Sequence, residues 1–119
     1  YAGIDEFNVD IYLGIGGAPE GVLAAAAIKC LGGQFQARLV LSNDQEVDKA
    51  KKMGIKDLKK KYYINDLVKD DVLFCATGVT GGDLLQGIKI LDNGFYQSET
   101  YVLHHAVKLN KKIINKFKI

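Results

Sequence analysis

Hydrophobic and polar residues alternate from Phe7 to Gly14, with Val9, Ile11 and Leu13 on one side and Asn8, Asp10 and Tyr12 on the other. A period of two predicts a strand over 7–14. The pattern then changes. Between Pro19 and Leu31 the apolar residues Val22, Leu23, Ala26 and Ile28 spread over a broad helical surface. Pro19 suits a first helical position, and Gly32 and Gly33 stop the run. Four consecutive alanines, Ala24 to Ala27, would let this helix lie close to a sheet. QFQARLVL, 34–41, predicts a second strand. EVDKAKKM predicts a second helix, preceded by Ser42, Asn43 and Asp44 and ended by Gly54. INDLVKDD offers a short helical turn, and DVLFCA a third strand over 71–76. The stretch 95–107, rich in Tyr, Val, Thr and Phe, predicts one or two more strands, while the lysine-rich end follows neither period.

Strand, helix, strand, helix, short helix, strand and further strands, in that order, predict a single α/β unit over 1–119 with a mixed, mostly parallel sheet and a layered arrangement. In open sheets of this kind, sites gather beyond the carboxyl ends of the strands. Two glycine-rich stretches follow strands and could share that rim: GIGGAPEG, 14–21, and TGVTGGDLLQG, 77–87.

Charge narrows the partners. The net charge is +2, and fifteen of the sixteen basic residues are lysines, with Arg38 the single guanidinium. Nucleic-acid binders favour a concentrated basic face, usually with arginine, so no nucleic-acid partner is expected. Cys30 and Cys75 form no CxxC and are expected as buried thiols in a reducing compartment. No apolar run reaches the roughly 18 residues that span a bilayer, so no membrane partner is expected and a cytoplasmic location is the default. The first residue is Tyr1 and not Met, and further sequence upstream is expected.

GIGGAPEG fails the two best-known phosphate motifs. In GxGxxG counted from Gly14, the third glycine would be Pro19; in GxxxxGK followed by Ser or Thr, counted from Gly16, Val22 and Leu23 fill the lysine and hydroxyl positions. Three readings stay open. Gly16 and Gly17 could let the backbone approach an anion at a helix start. The stretch could be a tight turn, with Glu20 favourably placed near the positive end of the helix dipole. Glu20 could also carry out chemistry of its own.

The string VDIYLGIGGAPEGVLAAAAIKCLGGQFQARL, 9–39, closely resembles class II fructose-1,6-bisphosphatases, as do KAKKMGI and DVLFCATGVTGGDLLQGI further on. The likeness runs from about Ile4 to Ile90 and loosens beyond Phe95, where YQSETYVLHHAVKLNKK departs from the family's usual threonine-rich strand followed by an arginine-bearing one. The resemblance implies the layered α/β fold of the metal-dependent sugar phosphatases. It also implies Mn²⁺- or Mg²⁺-dependent hydrolysis of the 1-phosphate of fructose 1,6-bisphosphate in gluconeogenesis. Related bacterial members also accept sedoheptulose 1,7-bisphosphate. Residue by residue, the resemblance makes Glu20 of APEG a metal ligand and Gly17, the second glycine of GG, a substrate contact; it carries no catalytic residue onto this chain.

Two-metal phosphate-ester hydrolysis needs several hard oxygen ligands. The resemblance places the others upstream, with the water-activating threonine and an aspartate-rich substrate loop. Asp5, Glu6 and Asp10 do not match them. The chain therefore resembles the C-terminal portion of such an enzyme and is expected to be inactive alone. The expected partners are a phosphorylated sugar and further copies of the same subunit. A non-catalytic phosphate-binding or assembly module is the alternative.

Other residues are expected to be structural. Thr77, Thr80 and Asp83 of TGVTGG could hold a phosphate or simply shape a turn, with Asp83 as a helix cap. His104 and His105, adjacent on a predicted strand, point to opposite faces and would not share a metal, one being packed and the other solvated. The lysines at 59–61, 108, 111 and 112 fit a solvated face, and Tyr62, Tyr63, Tyr96 and Tyr101 fit packing roles.

Overall fold

A computed structural model describes residues 1–118. After a short 3-10 turn at Asp5–Phe7, residues 8–17 run without regular structure into helix α1, Ala18–Leu31. Pro19 sits in the first turn of α1, where its missing N–H breaks no helical bond. Gly32 ends the helix in the left-handed region at φ 79°, its N–H donating to the carbonyls of Ile28 and Lys29, a conformation that glycine adopts without Cβ strain. Helix α2, Asp44–Lys52, is capped by Asn43. Asn43 Oδ1 accepts from the Glu46 N–H at 2.9 Å, satisfying a donor that a helix start otherwise leaves open, and Glu46 Oε2 accepts from the N–H of Ser42, just before the cap, at 2.6 Å.

Among the described residues two sheets form, and the expectation of a mostly parallel arrangement is corrected: every strand pair there is antiparallel. Strands β1, Gln36–Ala37, and β2, Tyr62–Tyr63, make a small ribbon, after which α3, Ile64–Leu67, adds a single turn. The larger sheet is built around β5, Phe95–His104. Along one edge β5 pairs over its whole length with β6, Leu109–Lys118. Along the other edge, β3, Leu73–Thr77, pairs with its second half, and β4, Lys89–Ile90, pairs at Tyr96 and Gln97. The class is therefore α/β. A parallel sheet needs a helix that returns the chain to a strand beside the first, and that condition fails. The alternating segment 7–14 joins no ladder among the described residues, and the predicted strand 34–41 contributes only two residues to the separate ribbon.

The core lies where α1 packs on one face of the larger sheet. Cys30, Tyr101 and Leu103 are buried together, with Ile4, Ala27, Leu31, Val72, Phe74, Leu84 and Leu85 around them. Ala25 and Ala26 are also buried on α1, as the alanine run suggested. Lys29 ties the helix down: its Nζ donates to the carbonyls of Val68 at 2.6 Å, Lys69 at 3.2 Å and Asp70 at 3.1 Å, just before β3.

Much apolar surface stays open. A closed monomer of this mass exposes about 6,400 Å², whereas this chain exposes 9100 Å². Its radius of gyration, 17.8 Å, likewise exceeds the roughly 13.5 Å typical of its length. Ile11, Tyr12, Leu13 and Ile15 are each more than 70% exposed. Cys75, expected to be buried, is exposed: burial alternates along β3, and no element among the described residues covers its face. Among the described residues no helix is long and apolar enough to cross a membrane.

Candidate functional site

The stretch 14–21 leads from a segment without regular structure into the start of α1. Gly17 is the residue before the helix, with φ −65° and ψ 153°, and its carbonyl accepts the Gly21 N–H at 3.0 Å as the first helical bond. Glu20 is the third residue of the helix, so an acidic group lies in the first turn. Its carboxylate folds back over Gly17: a Cβ built on Gly17 would collide with Glu20 Oε2. Both residues are exposed. The ion pairs of the described residues join Lys60 to Asp66 and the two histidines to Asp71, leaving Glu20 outside them. A solvent-facing carboxylate at a helix start thus has its oxygens available to a hard cation. Among the described residues, no three His, Cys, Asp or Glu stand together closely enough to hold an ion. Glu20 fits a metal as one donor, and the described residues do not complete a site around it.

The second glycine-rich stretch is folded upon itself. Gly78 is buried, its N–H donates to the Glu99 carbonyl at 3.0 Å, and a Cβ there would overlap the carbonyl oxygen of Gln86. Gly87 is equally confined, its missing Cβ facing the Gly81 N and the Thr80 carbonyl carbon within 2.7 Å. The Gly82 and Ile88 N–H groups donate to Leu85 and Val79, and the Gln86 N–H donates to Glu99 Oε2 at 2.6 Å. Thr77 Oγ1 and Thr100 Oγ1 share a hydrogen bond of 2.8 Å. Glycines at 78 and 87 let two limbs of the loop touch backbone to backbone, and several N–H groups that a phosphate cradle would need are used inside the protein. Asp83 caps no helix, since none starts beside it.

One cluster escaped sequence reasoning. Asp71 Oδ1 accepts from the N–H groups of Val72 at 2.9 Å and Ala106 at 2.8 Å. The same carboxylate lies 3.3 Å from His105 Nδ1 and 3.5 Å from His104 Nε2. His104 Nδ1 also accepts from the Val107 N–H at 3.4 Å. Burial alone would push the Asp71 carboxyl up. The two N–H donors and the neighbouring histidines outweigh it and hold the group below its ordinary value. The expectation of one packed and one solvated histidine is corrected: β5 ends at His104, the chain turns, and both rings reach the same carboxylate, each partly buried. Thirty-odd residues separate the partners in sequence, so no local signal could reveal them. Near this cluster Cys30 is packed under β3, where burial, reinforced by the Asp71 charge, pushes its thiol up. Tyr96 stacks on Phe117 with ring centroids 5.9 Å apart, and Tyr101 is buried, both in packing roles; Tyr63 is exposed.

Comparison with known proteins places the chain among the sugar bisphosphatases. It is 39% identical over 92% of its length to "Fructose-1,6-bisphosphatase class 2" of Haemophilus influenzae, covering 37% of that protein. It is 43% identical over 71% of its length to "Fructose-1,6-bisphosphatase 2 class 2" of Escherichia coli, covering 30% of it. The match to "D-fructose 1,6-bisphosphatase class 2/sedoheptulose 1,7-bisphosphatase" of a Synechococcus species is 38% over 86% of the chain and 33% of that protein. The chain belongs to the family described as "Bacterial fructose-1,6-bisphosphatase, glpX-encoded", whose model matches residues 1–117. It spans about a third of the length of these curated relatives.

Proposed function

We propose that this chain is the C-terminal portion of a divalent-metal-dependent phosphatase that hydrolyses the 1-phosphate of fructose 1,6-bisphosphate to give fructose 6-phosphate in gluconeogenesis. Membership of the family over residues 1–117, with Glu20 free and solvent-facing at the start of α1, carries the reading. Glu20 acts as one ligand of Mn²⁺ or Mg²⁺, and the Gly17 backbone meets the phosphorylated sugar. When bound, such an ion supplies positive charge to the phosphoryl oxygens and lowers the pKa of a water. The residues of this chain hold and orient: α1 carries Glu20 in its first turn, and Gly17 gives its carboxylate room to fold back. With a single candidate ligand, the 119 residues alone are inactive, and the working enzyme is a homo-oligomer of longer subunits in the cytoplasm.

The test is Mn²⁺-dependent phosphate release from fructose 1,6-bisphosphate by the full-length protein. Release is expected, and Glu20→Gln should lower kcat/KM by at least about a hundredfold, the scale of losing a group that stabilises transition-state charge. No release by the parent protein, or full activity in the variant, would refute the reading.

A further inference from the structure

Loop 14–21 contains four glycines, and their surroundings differ. A Cβ at Gly16 or Gly21 would enter open space, and one at Gly14 would meet the Tyr12 ring. At Gly17 it would meet the Glu20 carboxylate, colliding with Oε2 and standing 3.1 Å from Cδ. The backbone at Gly17, φ −65° and ψ 153°, is one that any L residue adopts. Backbone conformation therefore does not demand glycine there; the neighbouring carboxylate does. A side chain at the third helical position naturally reaches back over the residue that precedes the helix, and Glu20 occupies that position.

We propose that Gly17 is a positioning residue for Glu20, its missing side chain leaving the space in which the carboxylate folds back over the start of α1. The inference rests on Glu20 being a metal ligand, and it is separate from any contact that the Gly17 backbone makes with substrate. A methyl group at 17 drives the carboxylate into another rotamer. That costs the fold little, because the end of a glutamate is flexible, but it removes a ligand from its place. Groups that orient a metal ligand are commonly worth about 10- to 100-fold in metal affinity.

The experiment is Mn²⁺ titration of the full-length protein without substrate, read by the electron paramagnetic resonance of free Mn²⁺ and by calorimetry, beside the melting temperature of the metal-free protein. Gly17→Ala is expected to raise the Mn²⁺ Kd about tenfold or more while leaving the metal-free melting temperature unchanged. In a Glu20→Gln background the same change should have no further effect. Gly21→Ala, where the added methyl meets nothing, should leave the Kd unchanged. An unchanged Kd in Gly17→Ala, an equal loss in the Glu20→Gln background, or a clear fall in metal-free melting temperature would overturn the proposal. If Glu20→Gln itself leaves Mn²⁺ affinity intact, the metal-ligand reading of Glu20 fails, and the positioning role fails with it. If Glu20→Gln weakens binding and Gly17→Ala does not, only the positioning role fails.

Discussion

Replacing Lys29 with methionine should lower the stability of this domain by about 2 kcal/mol, a figure that follows from three hydrogen bonds. Lys29 Nζ donates to the carbonyls of Val68, Lys69 and Asp70, the bond to Val68 being the shortest at 2.6 Å and partly buried, the other two exposed. A hydrogen bond made by a charged group contributes about 1.5–3 kcal/mol when sheltered, and exposed charged contacts contribute well under 1 kcal/mol each. The Val68 bond therefore supplies most of the effect. Methionine keeps the apolar stem on α1 and removes only the ammonium. With about 2.1 cal/mol/K of unfolding entropy per residue, the change corresponds to a fall in melting temperature of about 8 °C for a unit of this size. Urea unfolding followed by far-ultraviolet circular dichroism gives the measurement, and the midpoint should fall with the slope unchanged. Lys49→Met, on the exposed face of α2, is the control and should stay within about 0.5 kcal/mol of the parent. A Lys29→Met loss no larger than the control's would refute the claim that these three bonds anchor α1 to the approach to β3.

Gly78→Ala should cost about 2–3 kcal/mol, because the added methyl meets the backbone carbonyl of Gln86 and neither limb of the loop can yield cheaply; Gly82→Ala, facing open space, should be close to neutral in the same urea assay. Asp71 gives the chain a defined acid sensitivity. Its carboxyl is held below the ordinary value in the folded state, so its contribution is fully present above the unfolded pKa of about 3.9 and is lost as pH falls through the lower folded value. Melting temperatures measured from pH 6 down to pH 3 should show a steeper acid loss in the parent than in Asp71→Asn, and equal slopes would count against the Val72, Ala106 and histidine contacts as its cause.

Local chemistry was legible in the chain. α1 and α2 could be read because their caps and periodicity lie within a few residues: Asn43 Oδ1 accepts the Glu46 N–H at 2.9 Å, the Glu46 carboxylate accepts the Ser42 N–H at 2.6 Å, and Gly32 and Gly54 take up positive φ. Glu20 and Gly17 stood out through a resemblance of the surrounding string. β6 was not legible, since LNKKIINKFK is an edge strand with almost every residue exposed, and lysines on such an edge discourage further pairing while masking the alternation.

By itself, then, the sequence determined the helices, the turn residues, the α/β class and the family to which Glu20 belongs, because those depend on neighbours in the chain. Only the tertiary structure decided that the sheet is antiparallel, that 7–14 has no strand partner among the described residues, and that Asp71 gathers His104 and His105. It also decided that Gly78 and Gly87 serve loop closure. The physical reason is the same in each case. Strand partners, carboxylate–histidine contacts and close backbone approaches join residues that are apart in sequence, and the free energy that selects among them comes from surfaces and hydrogen bonds that exist only once the chain has folded.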